Sequence, residues 1–112
     1  MRTLGQPSEE ALNDVVRRIV QVANPSRIIL FGSAARGTMG PQSDVDLLVV
    51  TRGPAHRRKL AGDIYMNLGG AAFPLDIIVV TPEDVERYVN SPSLVIAPAL
   101  LEGRVVYDAG TA

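Results

Sequence analysis

Acidic side chains within apolar runs are the feature of this sequence best suited to chemistry. Asp44 and Asp46 precede the run LLVV at residues 47–50, and side chains two positions apart in a strand lie on one face of the sheet. Two adjacent carboxylates offer the hard oxygen ligands that Mg²⁺ prefers. Asp76 lies inside a later run, LDIIVV at residues 75–80, which predicts a buried strand. A carboxylate buried there is costly, so we expect Asp76 to be either paired or coordinated.

A glycine–serine pair, Gly32-Ser33, ends the apolar run RIILF at residues 27–31, and ten residues separate it from Asp44. Gly32 lets the backbone bend sharply and approach a ligand closely. Ser33 offers a hydroxyl and an N–H, and a helical turn starting there would direct further N–H groups at a phosphate. Arg36 follows three residues later and is placed either to touch phosphate or to lie in solvent. Taken alone, Gly32 and Ser33 also fit a simple strand-to-helix turn, and Asp44 also fits the capped start of a solvated strand.

The bulk properties narrow the class of protein. A chain of 112 residues with 46% hydrophobic residues predicts one folded domain over residues 1–112, with 1–7 frayed. The absence of cysteine excludes disulfides, thiolate metal sites and a cysteine nucleophile. A net charge of −1 does not favour a general nucleic-acid binder. No basic-then-apolar leader opens the sequence, and its apolar stretches are too short to span a bilayer, so we expect a cytoplasmic protein.

Hydrophobic periodicity and turn residues predict a mixture of helices and strands. The predicted helices, with their signals, are Ser8 to about Ala23, His56 to Leu68 ended by Gly69-Gly70, a capping box at Thr81-Pro82-Glu83-Asp84 leading to about Asn90, and Pro92 to Glu102 kinked at Pro98. The predicted strands are 28–31, 44–50, 75–80 and a short edge strand at 104–107. The connection between the first two strands is near the minimum for a parallel crossover, which favours antiparallel or mixed pairing. The fold class is therefore α/β (α+β), a small mixed sheet with helices mainly on one face and the aspartates at or near the other.

The complete pattern is more specific than its parts. It runs FGSAARG at residues 31–37, SDVDLLV at 43–49 and LDIIVV at 75–80. This resembles the minimal nucleotidyltransferases of the DNA polymerase beta superfamily, and within them the small group that acts as antitoxins beside HEPN-domain toxins. The resemblance covers roughly residues 10–108, and it is more specific for the superfamily than for the antitoxin role.

The resemblance implies a role for each matching position. Asp44 and Asp46 would be shared ligands of two Mg²⁺ ions, and Asp76 would bind the ion that activates the attacking hydroxyl and serve as its base. Gly32 and Ser33 would hold the β- and γ-phosphates of ATP. The implied reaction moves AMP from ATP to a hydroxyl, by resemblance a tyrosine of a cognate HEPN ribonuclease toxin, which it silences.

Two other functions stay open at this point: an antitoxin that neutralises its partner by binding alone, and transfer to a small molecule. Several polar residues have plainer interpretations than catalysis. His56 is interpreted as the start of a helix and Asp63 as part of a solvated helix face. The basic run 57–59 either lies in solvent or meets ATP or an acidic partner.

Overall fold

The residues that the structure describes form a four-stranded sheet with three helices. The computed structural model describes residues 9–31, 45–69, 75–90 and 103–109. In chain order the elements are α1 (Glu9–Ala23), β1 (Arg27–Phe31), β2 (Val45–Val50), α2 (Arg57–Leu68), β3 (Leu75–Val80), α3 (Pro82–Asn90) and β4 (Arg104–Asp108). These elements confirm the predicted fold class. The helix predicted at 92–102 lies outside the described residues.

The sheet is mixed, in the order β3-β2-β1-β4. The outer strand β4 and the inner strand β2 both pair antiparallel with β1, while β3 pairs parallel with β2. Parallel neighbours need a crossover connection, and α2 supplies it between β2 and β3. The short connection between β1 and β2 joins an antiparallel pair, as its length predicted.

The core lies on both faces of the sheet. On one face α1 and α2 pack against alternate strand residues, in a cluster that includes Ile19, Ile28, Leu47, Ile64 and Ile77. On the opposite face a smaller cluster is formed by the buried residues Ile29, Leu48, Val50 and Val80, with Val85 of α3 packed against it. The middle of β2 is therefore covered on both sides, as the continuous apolar run LLVV requires.

Local signals set the ends of the helices. Asn24 adopts a left-handed conformation (φ 45°) and precedes the fully buried Pro25, a combination that ends α1. His56 caps the start of α2, where its Nδ1 accepts from the N–H of Lys59 at 3.3 Å, and Gly69 (φ 22°) caps the end. These observations confirm that His56 starts a helix.

The predicted capping box is present at the start of α3. The N–H of Asp84 donates to Thr81 Oγ1 at 3.1 Å, and the N–H of Thr81 donates to Asp84 Oδ2 at 3.0 Å. The reciprocal pair satisfies two backbone donors at the beginning of the helix. No helix within the described ranges is long and apolar enough to cross a membrane.

Candidate active site

Two of the predicted carboxylates are direct neighbours in the sheet. Asp46 of β2 and Asp76 of β3 are register partners in the parallel pair. Adjacent strands lie about 4.8 Å apart, and residues at matching positions project to the same side. That side is the one carrying Leu48 and Ile78, opposite α1 and α2. The predicted placement of these aspartates on the face away from the main helical layer is therefore confirmed for this pair.

The expected burial of Asp76 is wrong. Its side chain is exposed, and that of Asp46 is half-buried. Asp76 lies near the beginning of a strand at the border of the described sheet, whereas the second core cluster covers Ile78 and Val80 further along. The cost of burying a charge therefore does not argue for coordination at Asp76. The argument that remains is that the two carboxylates occupy matching positions on adjacent strands.

The donor set fits a divalent cation. Carboxylate oxygens are hard ligands suited to Mg²⁺. Two carboxylates projecting to the same side repel each other, and a cation between them would relieve that repulsion. Within the described ranges, no group of three or more histidine, aspartate and glutamate side chains could hold a metal ion. Asp44, the predicted third member, lies outside those ranges, as do Gly32, Ser33 and Arg36. The pair Asp46–Asp76 is thus the described part of the predicted site.

The end of β1 lies beside the same pair. Phe31 is the register partner of Asp46 in the antiparallel ladder, and it is the last residue before the glycine–serine pair in the sequence. Three positions from the sequence pattern therefore lie at the same end of neighbouring strands. They are Phe31, which precedes Gly32, the second aspartate of the Asp-Val-Asp motif, and Asp76.

Tyr65 was missed by the sequence analysis. It lies on α2, and its Oη accepts a hydrogen bond of 2.8 Å from the N–H of Ile77, the residue after Asp76. Its side chain is 42% exposed, although its helix neighbours Ile64 and Leu68 are buried in the core. Nothing in the spacing of the motif identifies a tyrosine eleven residues before Asp76, because the contact depends on how α2 crosses the sheet.

The opposite end of β3 carries a separate network of polar contacts. Arg57 Nη1 donates to Asp84 Oδ2 at 3.0 Å, joining the start of α2 to the start of α3. The hydrogen bond from the N–H of Thr81 holds the pKa of the buried Asp84 carboxyl below its usual range, and the charge of Arg57 acts in the same direction. Four strand positions separate Asp76 from Val80, which precedes Thr81, so this network lies away from the aspartate pair.

Arg57 and Lys59 of the basic run at 57–59 contact different partners. Arg57 makes the ion pair with Asp84, and Lys59 Nζ lies 3.1 Å from Asp63 Oδ2 on the same helix. The side chains of Lys59 and Asp63 are both well exposed to solvent. Asp63 therefore belongs to a solvated helix face, as predicted, rather than to the carboxylate pair.

A family model described as "Nucleotidyltransferase domain" matches residues 10–106. The chain belongs to this family. The match spans every described strand up to Val106 in β4 and includes both Asp46 and Asp76. The protein is a nucleotidyltransferase.

Individual relatives agree in sequence and in fold. A protein of Methanocaldococcus jannaschii named "Putative protein adenylyltransferase MJ1305" is 32% identical in an alignment 111 residues long, and the match covers 89% of this chain and 74% of that protein. A structure described as a putative nucleotidyltransferase from Sulfolobus solfataricus superposes with a TM-score of 0.55 at 18% identity, covering 95% of this chain and 94% of the other. A second, "Crystal structure of the toxin-antitoxin with AMP-PNP", gives a TM-score of 0.53 at 21% identity, covering 87% and 73%. The two structures establish the likeness of fold.

Proposed function

We propose that this nucleotidyltransferase moves AMP from ATP to a hydroxyl group of a partner protein, and that it acts as an antitoxin in doing so. The observation that carries the proposal is the register pairing of Asp46 with Asp76 on one face of a nucleotidyltransferase sheet. Such a pair can hold the cations that accompany a triphosphate. A catalytically silent binding protein would have no need of two carboxylates kept side by side.

In the proposed site Asp46, Asp76 and the sequence-predicted Asp44 hold two Mg²⁺ ions. Divalent ions supply stabilisation of charge on the attacking and leaving oxygens of an in-line displacement. The residues of the chain do the positioning. Gly32 and Ser33 bind the β- and γ-phosphates, with Arg36 touching phosphate beside them.

The proposed transfer changes no oxidation state and needs no redox partner. The acceptor oxygen forms a bond to the α-phosphorus, and the bond between that phosphorus and the oxygen bridging to the β-phosphate breaks. Pyrophosphate leaves, and the Asp76 carboxylate accepts the proton of the hydroxyl. An exposed carboxylate suits this task because an acceptor from another molecule can reach it.

The proposed acceptor is supported by the names of two similar proteins. The Methanocaldococcus jannaschii protein, 32% identical, is named as an adenylyltransferase acting on protein. A fold relative comes from a toxin–antitoxin structure with an ATP analogue. Together with the sequence resemblance to antitoxins, these names support a toxin as the acceptor. We propose a tyrosine of a HEPN-family ribonuclease toxin as the modified group.

Mass spectrometry tests the proposal directly. The protein is incubated with the product of the neighbouring gene, ATP and Mg²⁺, and the intact mass of each protein is measured. We expect the partner to gain one or more AMP units, and to gain none with chelator or with the Asp46→Asn variant. Asp63→Asn, which removes an exposed carboxylate outside the site, is the matched control and should transfer normally.

The outcomes separate the alternatives. A stable complex that blocks the toxin without any mass change would favour neutralisation by binding. An unmodified partner, with AMP appearing instead on an aminoglycoside or another small hydroxyl compound, would favour a small-molecule acceptor. Normal transfer by Asp46→Asn would contradict the assignment of Asp46 as a metal ligand.

A further inference from the structure

Asp46 and Asp76 are supported unequally by the sheet. Asp46 is on β2, which has hydrogen-bonded neighbours on both sides, β1 and β3. Asp76 is on β3, which has β2 on one side and no further strand beyond it within the described residues. A carboxylate on such an outer strand needs another means of holding its backbone if it is to meet its partner in a fixed geometry.

The peptide unit that follows Asp76 is held from both sides. The N–H of Thr51 donates to the carbonyl of Val80 at 2.9 Å, so the carbonyls of β3 at even-numbered positions point toward β2. By that alternation the carbonyl of Asp76 also points toward β2. The N–H of the same peptide unit belongs to Ile77 and points the other way, where Tyr65 Oη accepts it at 2.8 Å.

The helix that carries Tyr65 is itself firmly placed. Ile64 is fully buried in the main core and Leu68 is nearly so. The start of the helix is tied to α3 through Arg57 and Asp84 at 3.0 Å. The hydroxyl of Tyr65 is therefore presented from a fixed helix, in the position that a neighbouring strand would otherwise occupy.

We infer that Tyr65 is a positioning residue that fixes Asp76 opposite Asp46. It does so by accepting the hydrogen bond of the Ile77 N–H, on the side of β3 that faces away from β2. The inference rests on the proposed function, in which the two carboxylates share a divalent cation. The hydroxyl acts through the backbone and does not touch the cation. Its loss should therefore weaken metal binding while leaving the nucleotide contacts at Gly32 and Ser33 in place.

The test uses Tyr65→Phe, which keeps the ring and removes only the hydroxyl. The matched control is Tyr107→Phe on β4, whose strand pairs with β1 on the far side of the sheet. Binding of Mn²⁺ alone is measured by the loss of its free electron paramagnetic resonance signal. Losing a group that orients metal ligands commonly costs about tenfold or more in metal affinity, so we expect about tenfold weaker Mn²⁺ binding in Tyr65→Phe and an unchanged value in Tyr107→Phe.

Two further measurements separate positioning from a general structural effect. Hydrogen exchange should show faster exchange at the Ile77 amide in Tyr65→Phe, with the amides in the middle of β2 unchanged. In the transfer assay the Mg²⁺ concentration for half-maximal rate should rise, the KM for ATP should stay constant, and saturating Mg²⁺ should restore kcat. A merely destabilised protein would lose activity without this dependence on Mg²⁺.

Asp76→Asn and Asp46→Asn, measured in parallel, tell the two proposals apart. If both aspartate variants lose Mn²⁺ affinity and Tyr65→Phe keeps it, the positioning role is overturned and the metal site stands. If the aspartate variants bind Mn²⁺ as tightly as the wild type, the metal site is wrong and the role of Tyr65 falls with it. Weakened binding in all three variants, with Tyr107→Phe normal, supports both.

Discussion

Replacing Asp76 with asparagine should have opposite effects on stability and on catalysis. Asp76 and Asp46 are register partners whose carboxylates project to one side of the sheet. Two unit charges about 5 Å apart repel by about 0.8 kcal/mol in water and about 3 kcal/mol at an effective dielectric constant of about 20. Because Asp76 is exposed and Asp46 half-buried, the value should lie toward the lower figure, near 1 kcal/mol.

Without metal, Asp76→Asn should therefore unfold at a temperature about 4 °C above the wild type, since about 1 kcal/mol corresponds to a shift of that order in a domain of this size. Differential scanning calorimetry in chelator measures the shift. The gain should shrink at high salt, which screens the charges. Asp63→Asn, which removes the partner of Lys59 instead, should show no gain.

The same variant should lose transfer by at least about 10²-fold, because removing one preorganised electrostatic group commonly costs about 10²–10³-fold. Much of the Mg-ATP binding should remain, since Asp44 and Asp46 can still hold the ion that accompanies the triphosphate. Isothermal titration with a non-hydrolysable ATP analogue, beside the transfer assay, separates the two effects. Near-normal transfer, or an equal loss of binding and transfer, would refute the separate role assigned to Asp76; a stability loss in chelator would refute the repulsion argument.

The remaining predictions concern the other ligands, the phosphate contact, one helix and one cap. Asp44→Asn and Asp46→Asn should each lower the rate of AMP transfer by at least about 10²-fold, while the circular dichroism spectrum stays that of the folded protein. Ser33→Ala should lower kcat/KM for ATP by a smaller amount, corresponding to about 1.5–3 kcal/mol for one hydrogen bond to a charged group; an unchanged value would leave Ser33 as a cap. Gly62→Ala should raise the free energy of unfolding by about 0.5–1 kcal/mol in a denaturant titration with activity unchanged, because an added Cβ there meets nothing within 4 Å. Asp84→Asn should lower stability at pH 7 by about 1 kcal/mol; since the folded-state pKa of Asp84 is lowered, that difference should be present above about pH 4 and vanish as the pH falls through the folded pKa.

The sequence predicts the local structure well because the signals are local. The bounds of β3, 75–80, and the capping box at Thr81 are as predicted, since an apolar run and a four-residue cap depend only on adjacent residues. The first helix ends at Ala23 before Asn24, again through a short-range signal.

Contacts between distant residues were not predicted. The ion pair of Arg57 with Asp84 joins residues 27 positions apart, and the hydrogen bond of Ile77 to Tyr65 depends on the path of α2. The predicted burial of Asp76 was wrong for the same reason, because burial of one end of a strand depends on which elements cover it. An apolar run predicts a strand but does not predict how far along that strand the covering elements extend.

The direction of β3 decides whether the two aspartates can share a cation. In the parallel pair Asp76 faces Asp46. An antiparallel β3 over the same residues would place Asp76 opposite Val49, three positions and about 10 Å from Asp46 along the strand. Two carboxylates so far apart cannot both reach one ion at about 2.1 Å. The crossover through α2 makes β3 parallel to β2 and so places Asp76 next to Asp46. The same helix carries Tyr65, which accepts the hydrogen bond of the Ile77 N–H on the outer side of β3. One helix therefore both sets the direction of the strand and holds the backbone beside Asp76.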